Sequence, residues 1–378
     1  MPIPARARPA LLAAALALPG VAPPAEASGP PERAQLDVRW LHYRDGQPGF
    51  DRIRVDSPSI GLKLPVAGRW TIDAVALQDT VSGASPRWHS AVSGASRLSE
   101  RRRAGDLRVT HHWERATLTA GAVASSENDY RSRAGSLLAT WATEDRDTTW
   151  AFGLGRADDR IDPVNRAVIN ERRRTLDVLI GITRVLTAVD VLQVNLTHAR
   201  GEGYFSDPYK VPDVRPRERD QTALWVRWNR FVEPLGGTMR LGWRGHVDSW
   251  DVQSHALTAE WVQPLPGGWS VAPSLRYYTQ SAAGFYFDPV YDPALGEPFP
   301  PGFLANPLGV RSPDARLSAF GAATLGLRVA KWIDRSTAVD VRVDLYEQRA
   351  GWRLGGSGSP GLAPLRATSL QLGLTRLF

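Results

Sequence analysis

Seven histidines, no cysteine and scattered acidic residues are what this 378-residue chain offers for chemistry. His111 and His112 are adjacent, and adjacent side chains on a strand face opposite sides, so the two cannot hold one ion together. His42, His89, His198, His246 and His255 are isolated in sequence. Without Cys there is no thiolate metal site, disulfide or thiol nucleophile. Glu127-Asn128-Asp129 and the run from Asp158 and Asp159 to Asp162 could offer oxygen atoms to Ca2+. Neither has the fixed ligand spacing of a calcium loop, and both read as solvated loop charge. Ser206 and Asp207 precede Pro208 and read as turn residues. No Ser and His are placed for ester hydrolysis, and no acidic–His pair is placed for proteolysis. The expectation is a protein that is not an enzyme and has no cofactor or metal site.

What remains is charge on alternating segments. By parity, Arg39, Arg52, Arg54, Lys63, Arg108, Arg227, Arg240, Arg244, Arg276, Arg328 and Arg342 share the non-apolar face of their strands. Asp37, Asp56, Asp73, Asp177, Asp248, Glu260, Asp340 and Asp344 share it with them. Around a watery lumen such a set makes a mildly positive field that acts on passing ions. The alternative is a cross-strand ladder of ion pairs that stiffens the wall and narrows the lumen.

The elements that position these charges are strands with one apolar and one polar face. Leu176, Val178, Ile180 and Ile182 alternate with Thr175, Asp177, Gly181 and Thr183. Val339, Val341, Val343 and Leu345 alternate with Asp340, Arg342 and Asp344. The pattern recurs along the chain and predicts about 16 strands, in a range of 14 to 18. Short turns and longer loops mostly alternate, as in a transmembrane antiparallel β-barrel. On that pattern the short turns and both termini are periplasmic and the long loops are outside. Strand 51–65 changes phase between Val55 and Ile60, which predicts a bulge at Pro58. Trp70, Trp113, Trp141, Trp150, Trp261, Trp269 and Trp332 fall near short-turn ends and predict an interfacial girdle.

Residues 1–27 read as a signal peptide. Arg6 and Arg8 precede an apolar stretch from Ala10 to Leu18, and Ala25-Glu26-Ala27 is a small-x-small cleavage site. Residues 28–378 are then the barrel. No later stretch is long and apolar enough for a spanning helix, which leaves a closed barrel as the way across a bilayer. The formal net charge is +7. Its Arg residues are interleaved with acids and only Lys63, Lys210 and Lys331 are Lys, so the chain lacks the clustered patch of a nucleic-acid binder. The final strand carries the features read by the barrel-assembly machinery: Gln371, Gly373 two on, and the C-terminal Phe378. Arg376 stands where an aromatic or apolar residue is usual.

Several segments resemble the DUF3570 family of uncharacterised outer-membrane proteins. They include Leu41-His42-Tyr43-Arg44-Asp45 through Val55, Gly83 to Pro86, Gly203-Tyr204-Phe205-Ser206-Asp207-Pro208-Tyr209-Lys210, Arg215-Pro216-Arg217-Glu218-Arg219, Gln263 to Pro266, Tyr278 to Ala282 and Gly356 to Gly361. The resemblance implies an all-β outer-membrane barrel and no particular activity. The expected partners are outer-membrane lipid and the assembly machinery, reached after signal-directed export. The expected function is a channel or transport barrel for small solutes. The rival is a closed scaffold or partner-docking barrel without conductance, which an ordered fold-in of 283–315 would favour.

Overall fold

The computed structural model describes residues 29–86, 95–210, 212–288, 305–306 and 309–378. The expected signal peptide lies outside them, as does much of the 283–315 loop. Sixteen strands are present: β1 (Gln35–Gln47), β2 (Phe50–Val66), β3 (Trp70–Pro86), β4 (Ala95–His112), β5 (Ala116–Ser126), β6 (Tyr130–Ala142), β7 (Thr148–Ile161) and β8 (Glu171–Thr187), then β9 (Asp190–Gly203), β10 (Glu218–Val232), β11 (Gly237–Asp248), β12 (Gln253–Leu265), β13 (Trp269–Gln280), β14 (Phe320–Trp332), β15 (Thr337–Arg349) and β16 (Leu365–Leu377). Each pairs antiparallel with its neighbours in sequence, and β1 closes the ring on β16 from Gln35↔Leu377 to Gly46↔Arg366.

The period of 2 sorts the side chains. On β8, Leu176, Val178 and Ile180 stand exposed on the outer wall. Between them Asp177 and Leu179 are buried on the lumen side. Closure satisfies every strand edge, which is what a bilayer demands of backbone polar groups. Among the described residues no helix is long and apolar enough to cross a membrane.

One end of the barrel carries only short turns, at 67–69, 113–115, 143–147, 188–189, 233–236, 266–268 and 333–336. In the first of these Ala67 and Gly68 both have positive φ, at 49° and 65°. Two left-handed central residues match the twist of a tight hairpin, and Gly68 adopts that conformation without a Cβ penalty. The other end carries the long connections 204–217, 281–319 and 350–364. Trp70, Trp113, Trp141, Trp150, Trp269 and Trp332 are exposed on the outer wall at the short-turn end. Trp141 pairs directly with Trp150 across β6 and β7.

The structure corrects β2. Its pairing with β1 and β3 runs through Pro58 in one register. The irregularity lies nearer the loop end, where Asp45 pairs with Ile53 but Gly46 pairs with Asp51, leaving Arg52 as the extra residue. With no phase change at Pro58, Arg54 and Asp56 share the outer face with Ile60. Arg54 lies opposite Arg44, and Asp56 lies opposite His42. Ile53 and Val55 therefore face inward, and Ile53 is buried there. Ala315–Leu317 forms a 3-10 turn ahead of β14, and β4 begins at Ala95.

Candidate functional site

The lumen wall is built in rows, because paired residues on neighbouring strands point the same way. One row crosses the seam where the chain closes. Thr375 donates to Asp37 at 2.7 Å, Arg39 bridges Asp37 at 3.3 Å and Asp340 at 3.2 Å, and Arg328 meets Asp340 at 3.0 Å. Gly373 lies beneath this chain of charges; a Cβ there would collide with Asp340 Oδ2 and with the Arg39 guanidinium. Gln371 follows on the same inward face, opposite Arg342 and Leu41. Leu372, Leu374 and Phe378 are exposed on the other.

A second region, on β10 to β15, is richer in positive charge. Arg240 pairs with Glu260 at 2.8 Å and Arg342 with Asp344 at 2.9 Å. Arg227 donates to Asn229 at 3.1 Å and lies beside the Trp225 ring. Arg276 lies over the Tyr278 ring, 5.4 Å from its centroid. Neither of these two, nor Arg244, has a carboxylate within ion-pair distance among the described residues. Two cavities open on this wall. One of about 270 Å3 is lined by Trp225, Arg227, Arg240, Glu260, Arg276, Arg342 and Asp344 among others. The other, about 190 Å3, lies between Trp225, Arg244 and Arg276.

At the loop end the lumen is crossed by chain. Val214 and Arg311 exchange backbone hydrogen bonds of 2.8 Å, joining loop 204–217 to loop 281–319. Ala319 N–H donates to Ser359 Oγ at 2.9 Å, which ties in loop 350–364. Beneath these joints lies a compact ion network. Arg215 meets Asp213 at 2.9 Å and Asp314 at 2.6 Å; Arg316 meets Asp207 at 3.2 Å and chelates Asp314. The side chains of Asp213 and Asp314 are 0% exposed and that of Arg215 is 7% exposed, so these charges survive only because they are paired. Burial opposes the charge on Arg215, but Asp213 and Asp314 outweigh it and hold the guanidinium above its ordinary range. Burial pushes the Asp213 carboxyl up against the pull of Arg215.

Lys210 belongs to the same region. Burial pushes its ammonium down to about 8, with Asp207 and Asp314 pulling the other way and Arg52 adding to the descent. Arg52 comes from β2, seven strands round the ring from β9. Loop 204–217 reaches from β9 to the loops that follow β5 and β7 and to loop 281–319. It is anchored on the way by Tyr209 O–H donating to Asp129 and by Asn165 Nδ2 donating to Pro208 O at 2.9 Å. Below it Tyr43 donates to Asp45 at 2.9 Å, beside Arg52. An apolar cluster of Trp250, Val252, Ala283 and Leu317 supports the loops from the side.

The candidate ligands are otherwise engaged. His111 packs between Trp70 and Trp113 at ring distances of 4.4 and 4.2 Å, while His112 hydrogen-bonds Thr71 at 2.9 Å. Asp158 meets Arg156 and Arg174, and Asp159 meets Arg173 at 3.0 Å. Among the described residues no cluster of three or more His, Cys, Asp or Glu could hold a metal. Ser206 and Asp207 both accept backbone N–H groups, from Arg215 and Tyr209, each at 3.0 Å. Sequence reasoning placed Asp207 in a turn but did not reach Asp213, Arg215, Asp314 or Arg316. The acidic and basic residues flanking Pro208, Pro216 and Pro313 were the only signal.

Several solved structures share the architecture. CdiB from Acinetobacter baumannii is 10% identical at a TM-score of 0.51, over 89% of this chain and 60% of that one. A bacterial polysaccharide outer membrane secretin is 9% identical at 0.51, over 91% and 98%. The siderophore receptor PirA from Pseudomonas aeruginosa is 12% identical at 0.47, over 91% of this chain and 62% of that one. At these identities the likeness is one of fold, that of bacterial outer-membrane barrels. No sequence relative was found among curated proteins. The family model described as "Protein of unknown function (DUF3570)" matches residues 8–101, 93–170 and 165–368, and the chain belongs to that family.

Proposed function

We propose that this protein is an outer-membrane channel or transport barrel that admits small anionic solutes. The observation that carries the reading is the set of Arg227, Arg244 and Arg276, which share one lumen wall without a carboxylate partner and border two cavities. Fixed positive charge on a low-dielectric wall concentrates anions and offers them successive weak sites, which is what conduction requires. Arg also grips carboxylate and phosphate in a planar fork, so both are fitting solutes. In this reading the barrel performs no chemistry and is inserted by the assembly machinery.

The mouth supports a second reading. Loops joined through Arg215, Asp314 and Arg316 cross it, as in a closed scaffold. Purified protein in a planar bilayer separates the two. A channel gives discrete conductance steps, and in a tenfold KCl gradient its reversal potential has the sign of anion preference. A folded protein with no conductance at any voltage overturns the channel and leaves the scaffold.

A further inference from the structure

On the outer wall, at the long-loop end, arginines stand side by side. Arg131 on β6 lies directly opposite Arg160 on β7, and Arg160 directly opposite Arg172 on β8. All three are exposed. Like charges on directly paired positions repel and destabilise a sheet. Only Arg160 has a carboxylate nearby, Asp162 at 3.8 Å. Arg131 and Arg172 have none among the described residues. The row continues through Ser126 to Arg103 on β4, whose one side-chain partner among the described residues is Gln78 at 3.4 Å.

The height of this row is set by the Trp residues. Arg131 and Trp141 are ten residues apart on β6, Arg160 and Trp150 ten apart on β7, and Arg103 and Trp113 ten apart along β4 and its turn. Ten residues of a tilted strand rise about 25 Å, the height of the apolar band of an outer-membrane barrel. The Trp set marks one interface, so the Arg row marks the other, on the side of the long loops. The row is also one-sided. Among the described residues, the outward faces of β10 to β14 carry no Arg in their loop-proximal halves.

Beside the row the wall is hollow. A shallow groove of about 850 Å3 runs over the outward positions Pro58, Ala76, Gly105 and Ala124 and ends against Arg103, Arg131 and Arg133. Small residues leave room for something apolar, and the arginines wait for something anionic. A second copy of this chain would bring Arg row against Arg row. We propose that this face binds a phosphorylated glycolipid of the outer leaflet, with acyl chain in the groove and phosphate across Arg131, Arg160 and Arg172. A phosphate bridging paired guanidiniums turns their mutual repulsion into charge-assisted hydrogen bonds. The arginines face away from the lumen, so this site stands or falls separately from conduction.

The test uses the folded protein in neutral detergent, with diphosphorylated lipid A as probe and native mass spectrometry as readout. Saturable binding is expected, weakened at least tenfold for lipid A stripped of phosphate and at least fivefold for phosphatidylglycerol. The variant R131Q/R160Q/R172Q is expected to lose at least tenfold, and the opposite-side control R349Q/R366Q nothing. Gly105→Leu fills the groove floor while leaving every arginine in place, and it too is expected to weaken binding. It keeps the proposal testable if the triple variant does not fold. Unchanged binding by the folded triple variant or by Gly105→Leu would overturn the site. Equal binding of phosphate-free lipid A would do the same, and equal binding of phosphatidylglycerol would overturn the glycolipid. Displacement by millimolar inorganic phosphate would reduce it to a free-anion site and overturn the lipid.

Discussion

Arg39 and Asp340 meet at 3.2 Å directly over the backbone of Gly373. The pair joins the first strand to the fifteenth across the last, at the seam that closes the barrel. Gly373 thus has a structural reason to be glycine in addition to any part in the assembly signal.

The corresponding prediction is that Gly373→Ala destabilises the folded barrel by about 1–3 kcal/mol, the usual cost of forcing an atom into an occupied site. Urea unfolding in lipid vesicles measures it. In an Arg39→Ala background the same substitution should cost measurably less, because one colliding partner is gone. Equal costs in the two backgrounds would show that Gly373 matters for another reason.

The strands were legible because a strand facing lipid on one side and a lumen on the other must alternate, and a window of a few residues reveals that. β2 misled for a related reason. Ile53 and Val55 are apolar, so parity assigned them to lipid, yet they face inward below the crowded mouth. The outward Arg54 was misassigned with them. The mouth itself was illegible. Arg215 and Asp314 are far apart in sequence, and which loops fold together depends on packing that no local pattern records. The same holds for the outer Arg row, whose members come from four hairpin-linked strands and align only once the register is known.

On the channel reading, the face a residue takes decides its effect on conduction. Arg244→Glu reverses a charge on the lumen wall and is expected to shift the anion-to-cation permeability ratio at least threefold toward cations. Arg54→Glu reverses a charge on the outer wall and is expected to leave the ratio unchanged. Reversal potentials in a KCl gradient read both. A shift from Arg54→Glu with none from Arg244→Glu would put the residues on opposite faces from those described.

Orientation can be read with single cysteines, since the chain has none of its own. Val310, in the connection between β13 and β14, and Leu235, in a short turn, are both well exposed. A membrane-impermeant maleimide added to intact cells is expected to label Val310→Cys and spare Leu235→Cys, and to label both after lysis. The opposite pattern would invert the barrel, and with it the side on which the outer Arg row lies.

Lys210 is expected to make closure of the mouth loop depend on pH. Its ammonium is held down at about 8 by burial, against an ordinary 10.5. The closed loop then binds fewer protons than the open loop between those values, so closure gains stability as pH rises through that window. The full shift corresponds to about 3 kcal/mol. Chymotryptic cleavage after Tyr209, normalised to a peptide of the same sequence, should slow at least tenfold from pH 7 to pH 9.5. Lys210→Met should already be slow at pH 7 and show no further change. A wild-type rate that rises with pH would contradict the assignment.

The last residue can be tested for what it contributes to insertion. Phe378 is 59% exposed on the outer wall, its backbone N–H held by Ala34 O at 2.9 Å. Arg376, two residues earlier, reaches the short turn at Asp334 at 3.6 Å and so does not present an apolar side chain at that position. Phe378 is therefore expected to carry more than its usual share of the signal. Near the interface a charged side chain on the lipid face costs only about 0–1 kcal/mol directly, so lipid burial alone predicts a mild effect for Phe378→Asp. Lost recognition predicts a large one: a severalfold fall in heat-modifiable, membrane-inserted protein in cells, with near-normal unassisted refolding of the purified variant into detergent. Normal insertion in cells would show that the terminal aromatic is dispensable here. Impaired refolding in detergent would instead assign its role to the stability of the closing strand.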